Sequence, residues 1–239
     1  MESFTDRNQK FACYAINLNI AEQEVYMFRL LNMPKIYDHY RTRYDVAKRL
    51  HHLLVKNDIQ KYATLAVGEG NYSASDHDLG PRILGSSTPQ SVFSLGSKLR
   101  TINSAQSMLT EVYKASIPYL KVSVGSEMAM MLRPKFHWVA NTRSIWAHLL
   151  IKHNFDFITA NEELKLYREN DVDSQMSYRV WREIHAEMKT NFRKLAILGA
   201  KEAKAQNCQH GGLVYLWADA VANELYERRE ELMNVNFGR

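Results

Sequence analysis

The spacing of apolar residues constrains this chain most, because it follows a helical period along most of the sequence. In residues 35–56, apolar or aromatic side chains recur every three or four positions: Ile36, Tyr40, Tyr44, Ala47, Leu50 and Leu54. Such spacing places them on one face of a helix. The same pattern predicts helices at residues 21–32, 91–117, 135–153, 161–170, 174–206 and 213–233. We therefore expect a mainly α protein with a helical C-terminal module.

Three short segments do not follow the helical period. Residues 11–20 alternate loosely between apolar and polar, which is typical of a half-buried strand. This strand predicts a small N-terminal α/β element. A second short strand is predicted at residues 119–124, whereas residues 127–132 fit a helix and a strand equally well.

The composition changes between residues 68 and 90, where glycine, proline, serine and threonine are concentrated. These residues favour turns and loops. A loop of this length is usually a linker or a working loop that orders over a ligand. We therefore predict a basic N-terminal α/β module at residues 1–67, a Gly/Ser/Pro loop or linker at 68–90, and a helical module at 91–239.

The overall composition excludes several classes of protein. Of the 239 residues, 46% are hydrophobic and 24% are charged, which is typical of globular rather than disordered chains. The N-terminus is polar and no apolar run approaches the roughly 18 residues of a membrane span, so neither secretion nor membrane insertion is expected. Cys13 and Cys208 are too few for a disulfide framework or a Cys-rich zinc site. A reducing, cytoplasmic location fits best.

Positive charge is concentrated in the first two thirds of the chain. Residues 35–61 hold seven Lys or Arg against three Asp, and residues 98–152 hold eight against two Glu. From residue 161 onward, thirteen acids nearly balance twelve bases. Clustered cations gain affinity for a phosphate backbone by releasing counterions. This asymmetry predicts a nucleic-acid-binding protein.

Tyrosines are interleaved with the basic residues of the predicted helix at 35–56, and aromatic rings stack on unpaired bases. We therefore favour single-stranded nucleic acid or RNA as the partner. The predicted contact residues are Lys35, Tyr37, Tyr40, Arg41, Arg43, Tyr44, Lys48, Arg49, Arg82, Arg100 and Arg143. The alternative interpretation is a solvated helix face whose tyrosines turn into the core.

Two other function classes stay open. The first is an enzyme acting on a nucleotide or another phosphorylated small molecule, with residues 80–88 closing over the phosphate and Arg82 or Arg143 neutralising it. That segment lacks the Lys-Ser or Lys-Thr of a Walker motif. The second is a scaffold that forms homo-oligomers through its C-terminal helices.

No residue carries a catalytic, cofactor-binding or metal-binding signature in this sequence. Asp76, His77 and Asp78 offer ligand atoms, but metal sites usually present them at fixed helical offsets or from several strand ends. Serine, histidine and aspartate occur, but none in a nucleophile-elbow context. We therefore predict no catalytic residue, no metal and no cofactor.

One short stretch is similar to a known family. Pro134, Trp138 and residues 141–145, with the preceding Glu127 and Ala129, resemble a helix-opening segment of flavin-dependent thymidylate synthases. That family's diagnostic Arg-His-Arg motif, followed by Ser, Asn and Glu, is absent from the sequence. No flavin or nucleotide contact is therefore expected from this resemblance, and no family is assigned.

Overall fold

The computed structural model describes residues 20–168 and 178–232, and the regular elements of that part are all helices. In chain order they are α1 (Ile20–Arg29), α2 (Met33–Val55), α3 (Ile59–Val67), α4 (Tyr72–Ser75), α5 (Leu79–Ser86), α6 (Pro89–Leu99), α7 (Ala105–Lys114), α8 (Val122–Leu132), α9 (Thr142–Lys152), α10 (Phe157–Arg168), α11 (Tyr178–Ala205) and α12 (Val214–Glu227). The mainly α prediction is confirmed. The predicted N-terminal strand lies outside the described residues, except Ile20, which begins α1.

Polar side chains fix the starts of six helices by accepting a hydrogen bond from the backbone N–H three residues ahead. These caps are Asn32, Asp58, Asn71, Thr88, Ser104 and Asn141. At α9 the cap is reciprocal, because the Ser144 hydroxyl also accepts from the backbone N–H of Asn141. This capping box explains why α9 begins at Thr142 rather than at residue 135, as the apolar spacing predicts.

The segment at residues 68–90 is largely helical, so its prediction as a loop is wrong. It contains α4, α5 and the first two residues of α6. Two of its glycines allow close packing, since a Cβ on Gly70 would lie 2.5 Å from the Leu65 carbonyl oxygen and one on Gly80 would lie 2.4 Å from that of Val67. Helices on both sides of the segment contribute to one hydrophobic cluster. The division of the chain into two modules stays a prediction.

Two further predictions are corrected between residues 91 and 132. The single helix predicted at 91–117 is two helices, α6 and α7, because Ser104 caps a new helix start. Residues 119–124 do not form a strand, since α8 begins at Val122. Residues 127–132, which fitted either structure, belong to α8.

Helix α8 lies at the centre of the fold. It packs against α2, α3, α4, α6, α7, α11 and α12. Its side chains are buried from Val122 to Leu132 except Ser123, which is partly exposed, and its single charged residue is Glu127. A charge at the middle of such a helix requires partners inside the protein.

The C-terminal helix is also surrounded by the chain itself. All residues from Tyr215 to Leu225 in α12 are buried, and the helix packs on α2, α9 and α11. The apolar stripe of this helix, which suggested oligomerisation, is therefore buried by other helices of the same chain. In the described part of the chain, no helix has the length and apolar character needed to cross a membrane.

Two glycine substitutions should have opposite effects on stability. A Cβ at Gly125 of α8 would lie 2.5 and 2.6 Å from the two Cγ atoms of Val112, whereas nothing lies within 4 Å of a Cβ at Gly85 in α5. Gly125→Ala should lower the free energy of unfolding by about 1–3 kcal/mol through overpacking. Gly85→Ala should raise it by about 0.5 kcal/mol, because alanine is the better helix former. Urea unfolding measures both, and a change of the same sign in both variants would contradict this packing.

Candidate nucleic-acid surface and a buried polar centre

One face of α2 presents a row of aromatic and basic side chains to solvent. Arg41, Tyr44, Lys48 and His51 are exposed, and Tyr37 is half-buried one turn before them. Tyr44 is 39% exposed, and the Lys48 ammonium lies 4.5 Å from the centre of its ring. The row thus alternates rings with cations along about four turns of the helix.

The row continues onto residues that follow α6 and α8. The pKa of His51 is lowered by partial burial and by the nearby positive charges of Arg100 and Arg133. Arg133 donates a hydrogen bond to the backbone carbonyl of Arg100, and its guanidinium lies 4.3 Å from the ring centre of Phe136. Phe136 is 41% exposed. We call this set the α2 surface: Tyr37, Arg41, Tyr44, Lys48, His51, Arg100, Arg133 and Phe136.

Two of the predicted contact residues are buried and cannot belong to this surface. Tyr40 packs against Trp217 and against Gly211, where an added Cβ would lie 2.4 Å from its ring. Arg43 is 1% exposed and forms an ion pair with Glu127 inside the protein. Both residues lie on the apolar stripe of α2, between Ile36 and Ala47, which explains their burial. Their predicted contacts with bases and phosphates are therefore wrong.

Four other predicted contact residues lie apart from the α2 surface. The Lys35 ammonium pairs with Glu224 and Glu227 at 2.8 Å each, and Arg49 pairs with Glu69 at 3.0 Å. Arg82 is exposed on α5. The fourth, Arg143, lies beside the polar centre described below. The structure thus brings together Tyr37, Arg41, Tyr44, Lys48 and Arg100, and sequence reasoning missed Arg133 and Phe136.

The Gly80–Thr88 segment has a different structure from the phosphate loop that its composition suggested. Residues 79–86 form α5, whose later N–H groups bond to carbonyls within the helix. The Thr88 hydroxyl accepts from the Ser91 N–H and so caps α6. Little of the segment can therefore surround a phosphate. Among the residues the structure describes, no group of three or more His, Cys, Asp or Glu could hold a metal, and Asp76, His77 and Asp78 form no such group.

A second polar arrangement lies inside the fold, around Glu127 of α8. Its Oε1 accepts from the Arg43 guanidinium of α2 and from the Tyr72 backbone N–H at 2.8 Å. Its Oε2 accepts from the Ser73 N–H at 2.8 Å and from the Ser73 hydroxyl at 2.7 Å. Four donors therefore compensate the buried carboxylate. We call Arg43, Tyr72, Ser73, Glu127 and Asp219 the polar centre.

Arg43 is incompletely satisfied in this arrangement. Its Nη2 donates to Glu127, and its guanidinium carbon lies 4.2 Å from the Tyr72 ring centre, a cation–π contact. Its Nε and Nη1 have no hydrogen-bond partner among the described residues. Buried donors without a hydrogen-bond partner are rare in folded proteins, and such a donor either binds a water molecule or has a functional role.

Asp219 of α12 is the second unusual group of the polar centre. It is 3% exposed and accepts a hydrogen bond from Asn223 Nδ2 at 3.2 Å. Burial raises its pKa to about 7, and the charges of Arg43 and Arg143 oppose this rise. Its carboxyl is therefore near half-protonation at neutral pH, and perturbed groups of this kind cluster at functional sites.

Polar side chains connect the centre to solvent. Arg143 Nη1 donates to Asn223 Oδ1 at 2.9 Å, and Asn223 in turn contacts Asp219. The other end of the guanidinium reaches Asp76 at 3.3 Å, and Nη1 lies 3.6 Å from Glu227. Arg143 is 33% exposed. It therefore stands at the boundary between the buried centre and the surface.

The sequence contains a signal for the polar centre that a count of charged residues does not detect. Glu127 is the single charge in the apolar helix α8, and Asp219 is the single charge in the first ten residues of α12. A lone acid in an otherwise apolar helix must be buried and compensated.

Comparisons of the chain with protein-family models, curated proteins and solved structures found no match.

Removing the charge of Glu127 should cost far more stability than removing an exposed one. Glu127→Gln leaves the buried Arg43 cation without its counter-charge, which typically costs about 3–5 kcal/mol. Glu69→Gln breaks the exposed pair with Arg49 and should change the free energy of unfolding by less than about 1 kcal/mol. Urea unfolding of both variants checks this contrast. Equal effects would show that the Arg43–Glu127 pair does not organise the fold.

Asp219 should make stability depend on pH. Its pKa is about 7 in the folded protein, above the ordinary aspartate value of 3.8, so the folded state binds more protons between these values. Its ionisation should therefore lower the free energy of unfolding as pH rises from about 4 through 7, with no further change above. Asp219→Asn removes this dependence, and the stability of the variant relative to the original protein should grow over that range. If urea unfolding shows that the stabilities of the variant and of the original protein change equally with pH, the raised pKa of Asp219 is contradicted.

Proposed function

We propose that this protein binds single-stranded nucleic acid, with RNA favoured, through the α2 surface. The observation that carries the proposal is that cations of the α2 surface lie over partly exposed rings, Lys48 over Tyr44 and Arg133 over Phe136. Surfaces that bind single strands combine the same two elements. Cations follow the phosphates while aromatic rings stack on the bases.

The charges of the α2 surface support a phosphate partner. Arg41, Lys48, Arg100 and Arg133 contribute four positive charges, and the acid paired with one of them is Asp45, 2.7 Å from the Lys48 ammonium. In the described part of the chain, Arg41 has no ion-pair partner and is open to solvent. Because Arg41 has no ion pair to break, it can bind a phosphate with little rearrangement of the protein.

The exposed rings favour an unpaired strand over a duplex. Tyr37, Tyr40 and Tyr44 form a ladder whose successive ring centres are 6.2 and 6.1 Å apart, and Tyr44 is its exposed end. A ring held in place by its neighbours loses little conformational entropy when a base stacks on it. Bases of a closed duplex would not reach this ring, because they are stacked on one another.

Variants of the α2 surface should separate the phosphate contribution from the stacking contribution. Arg41→Ala with Lys48→Ala should weaken binding to a labelled single-stranded RNA and reduce the salt slope by about 1.4, since each phosphate contact on a single strand contributes about 0.7. Tyr44→Ala should weaken binding about five- to a hundredfold, which corresponds to about 1–3 kcal/mol of stacking, with the slope unchanged. Fluorescence anisotropy across a salt series measures both effects.

The control for these variants is a pair of exposed lysines on another helix. Lys201 and Lys204 lie on the solvent face of α11, and replacing both with alanine removes the same charge. The lysine pair should leave the affinity and the salt slope nearly unchanged. If the Lys201→Ala, Lys204→Ala variant weakens binding as much as the Arg41 and Lys48 changes do, the attraction between the protein and the RNA is non-specific. No binding at low salt would reject nucleic acid as the partner.

A further inference from the structure

The polar centre contains donors that the protein itself leaves unused. Arg43 has five N–H bonds, and Glu127 accepts from one of its nitrogens only. The Nε and Nη1 atoms are buried and lack a partner in the part of the chain that the structure describes. Asp219 is buried nearby, close enough to Arg43 for their charges to interact. A guanidinium held this way in a protein interior is suited to an acceptor supplied from outside.

We propose that the polar centre is a binding site for a small organic monocarboxylate, held between Arg43 and Asp219 with Arg143 at the entrance. The carboxylate oxygens would accept from the unused N–H groups of Arg43, which carry positive charge. A protonated Asp219 would donate a third hydrogen bond. This site is separate from the α2 surface and does not rest on the proposed nucleic-acid binding.

The charges at the entrance select a monoanion over a dianion. Arg143 is flanked by Asp76 at 3.3 Å and Glu227 at 3.6 Å, and the Lys35 ammonium is shared between Glu224 and Glu227. The acids therefore outnumber the bases at this entrance. Oxalate, which is a dianion at both pH 6 and pH 8, would be repelled more strongly than a singly charged carboxylate. The part of the ligand that faces the entrance should be neutral or positive.

Proton binding should be coupled to ligand binding at this site. Asp219 interacts with Arg43 from α2, Tyr72 from α4, Glu127 from α8, Arg143 from α9 and Asn223 from α12. The His39 ring of α2 lies against the Tyr72 ring, with 5.4 Å between their centres. Burial lowers the pKa of His39 to about 4 and raises that of Tyr72, so neither titrates between pH 6 and 8. The pKa of Asp219, about 7, lies within this range, so its charge changes there.

The dependence on pH follows from that single titration. If the ligand binds only when Asp219 is protonated, the apparent Kd rises as the protonated fraction falls. With a pKa of about 7, the apparent Kd should increase about tenfold between pH 6 and pH 8. Asp219→Asn keeps a donor and removes the charge, so its Kd should be the same at both pH values.

The test uses acetate as the probe and the full chain as the protein. The midpoint of thermal unfolding is measured against acetate concentration at pH 6 and pH 8, with chloride and oxalate as controls at matched ionic strength. We expect acetate to raise the midpoint at pH 6 beyond chloride and oxalate, and much less at pH 8. Asp219→Asn should respond to acetate equally at both pH values.

A double variant tests the role of Arg43 without leaving a buried charge unpaired. Arg43→Met with Glu127→Gln replaces the ion pair by two neutral side chains, a change that folded proteins often tolerate. It should lose the response to acetate. The Arg41→Ala, Lys48→Ala variant should keep that response, because those residues lie on the opposite face of α2. This variant therefore distinguishes failure of the carboxylate site from failure of nucleic-acid binding.

Three results would overturn the proposal. Acetate could raise the midpoint no more than chloride at pH 6, which would mean that water alone solvates Arg43. The double variant could respond as the original protein does, which would place the effect elsewhere. The Asp219→Asn variant could retain the tenfold dependence on pH, which would remove Asp219 from the site.

Discussion

The fold depends on how the protein compensates the Glu127 carboxylate. Helix α8 is buried among seven other helices, so a charge in its middle is stable only if the chain supplies enough donors. Those donors come from Arg43 of α2 and from the first residues of α4, Tyr72 and Ser73. One side chain therefore joins three segments that are far apart in the sequence. Asn71 strengthens the connection, because its amide donates to the Val124 carbonyl at 2.8 Å.

The same ion pair determines which side of α2 faces solvent. Once Arg43 points toward α8, the stripe that includes Tyr40, Ala47 and Leu50 must point into the core as well. Arg41, Tyr44 and Lys48 then lie on the outer side. The exposed row of cations and rings is thus a consequence of the buried pair. Loss of the pair would be expected to disturb the outer surface as well as the core.

The sequence predicts α2 well, because a helix with one buried face has a clear apolar period. That period predicts a helix at residues 35–56, and the helix in the structure is Met33–Val55. It does not resolve α8, because a helix buried on all sides has no polar face to set a period. It fails at residues 68–90, where the glycines allow close packing against Leu65 and Val67 rather than forming a loop. Composition alone cannot separate these two roles of glycine.

Arg41 and Arg43 show why counting charges misplaced part of the predicted site. Residues two apart on a helix are separated by about 200°, so two neighbouring arginines of one basic run face opposite sides. Arg41 is solvated, whereas Arg43 belongs to an apolar stripe three residues after Tyr40 and four before Ala47. Reading each cation against the apolar period would have assigned both correctly. The two faces of α2 therefore have different requirements: the outer row depends on accessible charge, and the inner arginine depends on the acids that surround it.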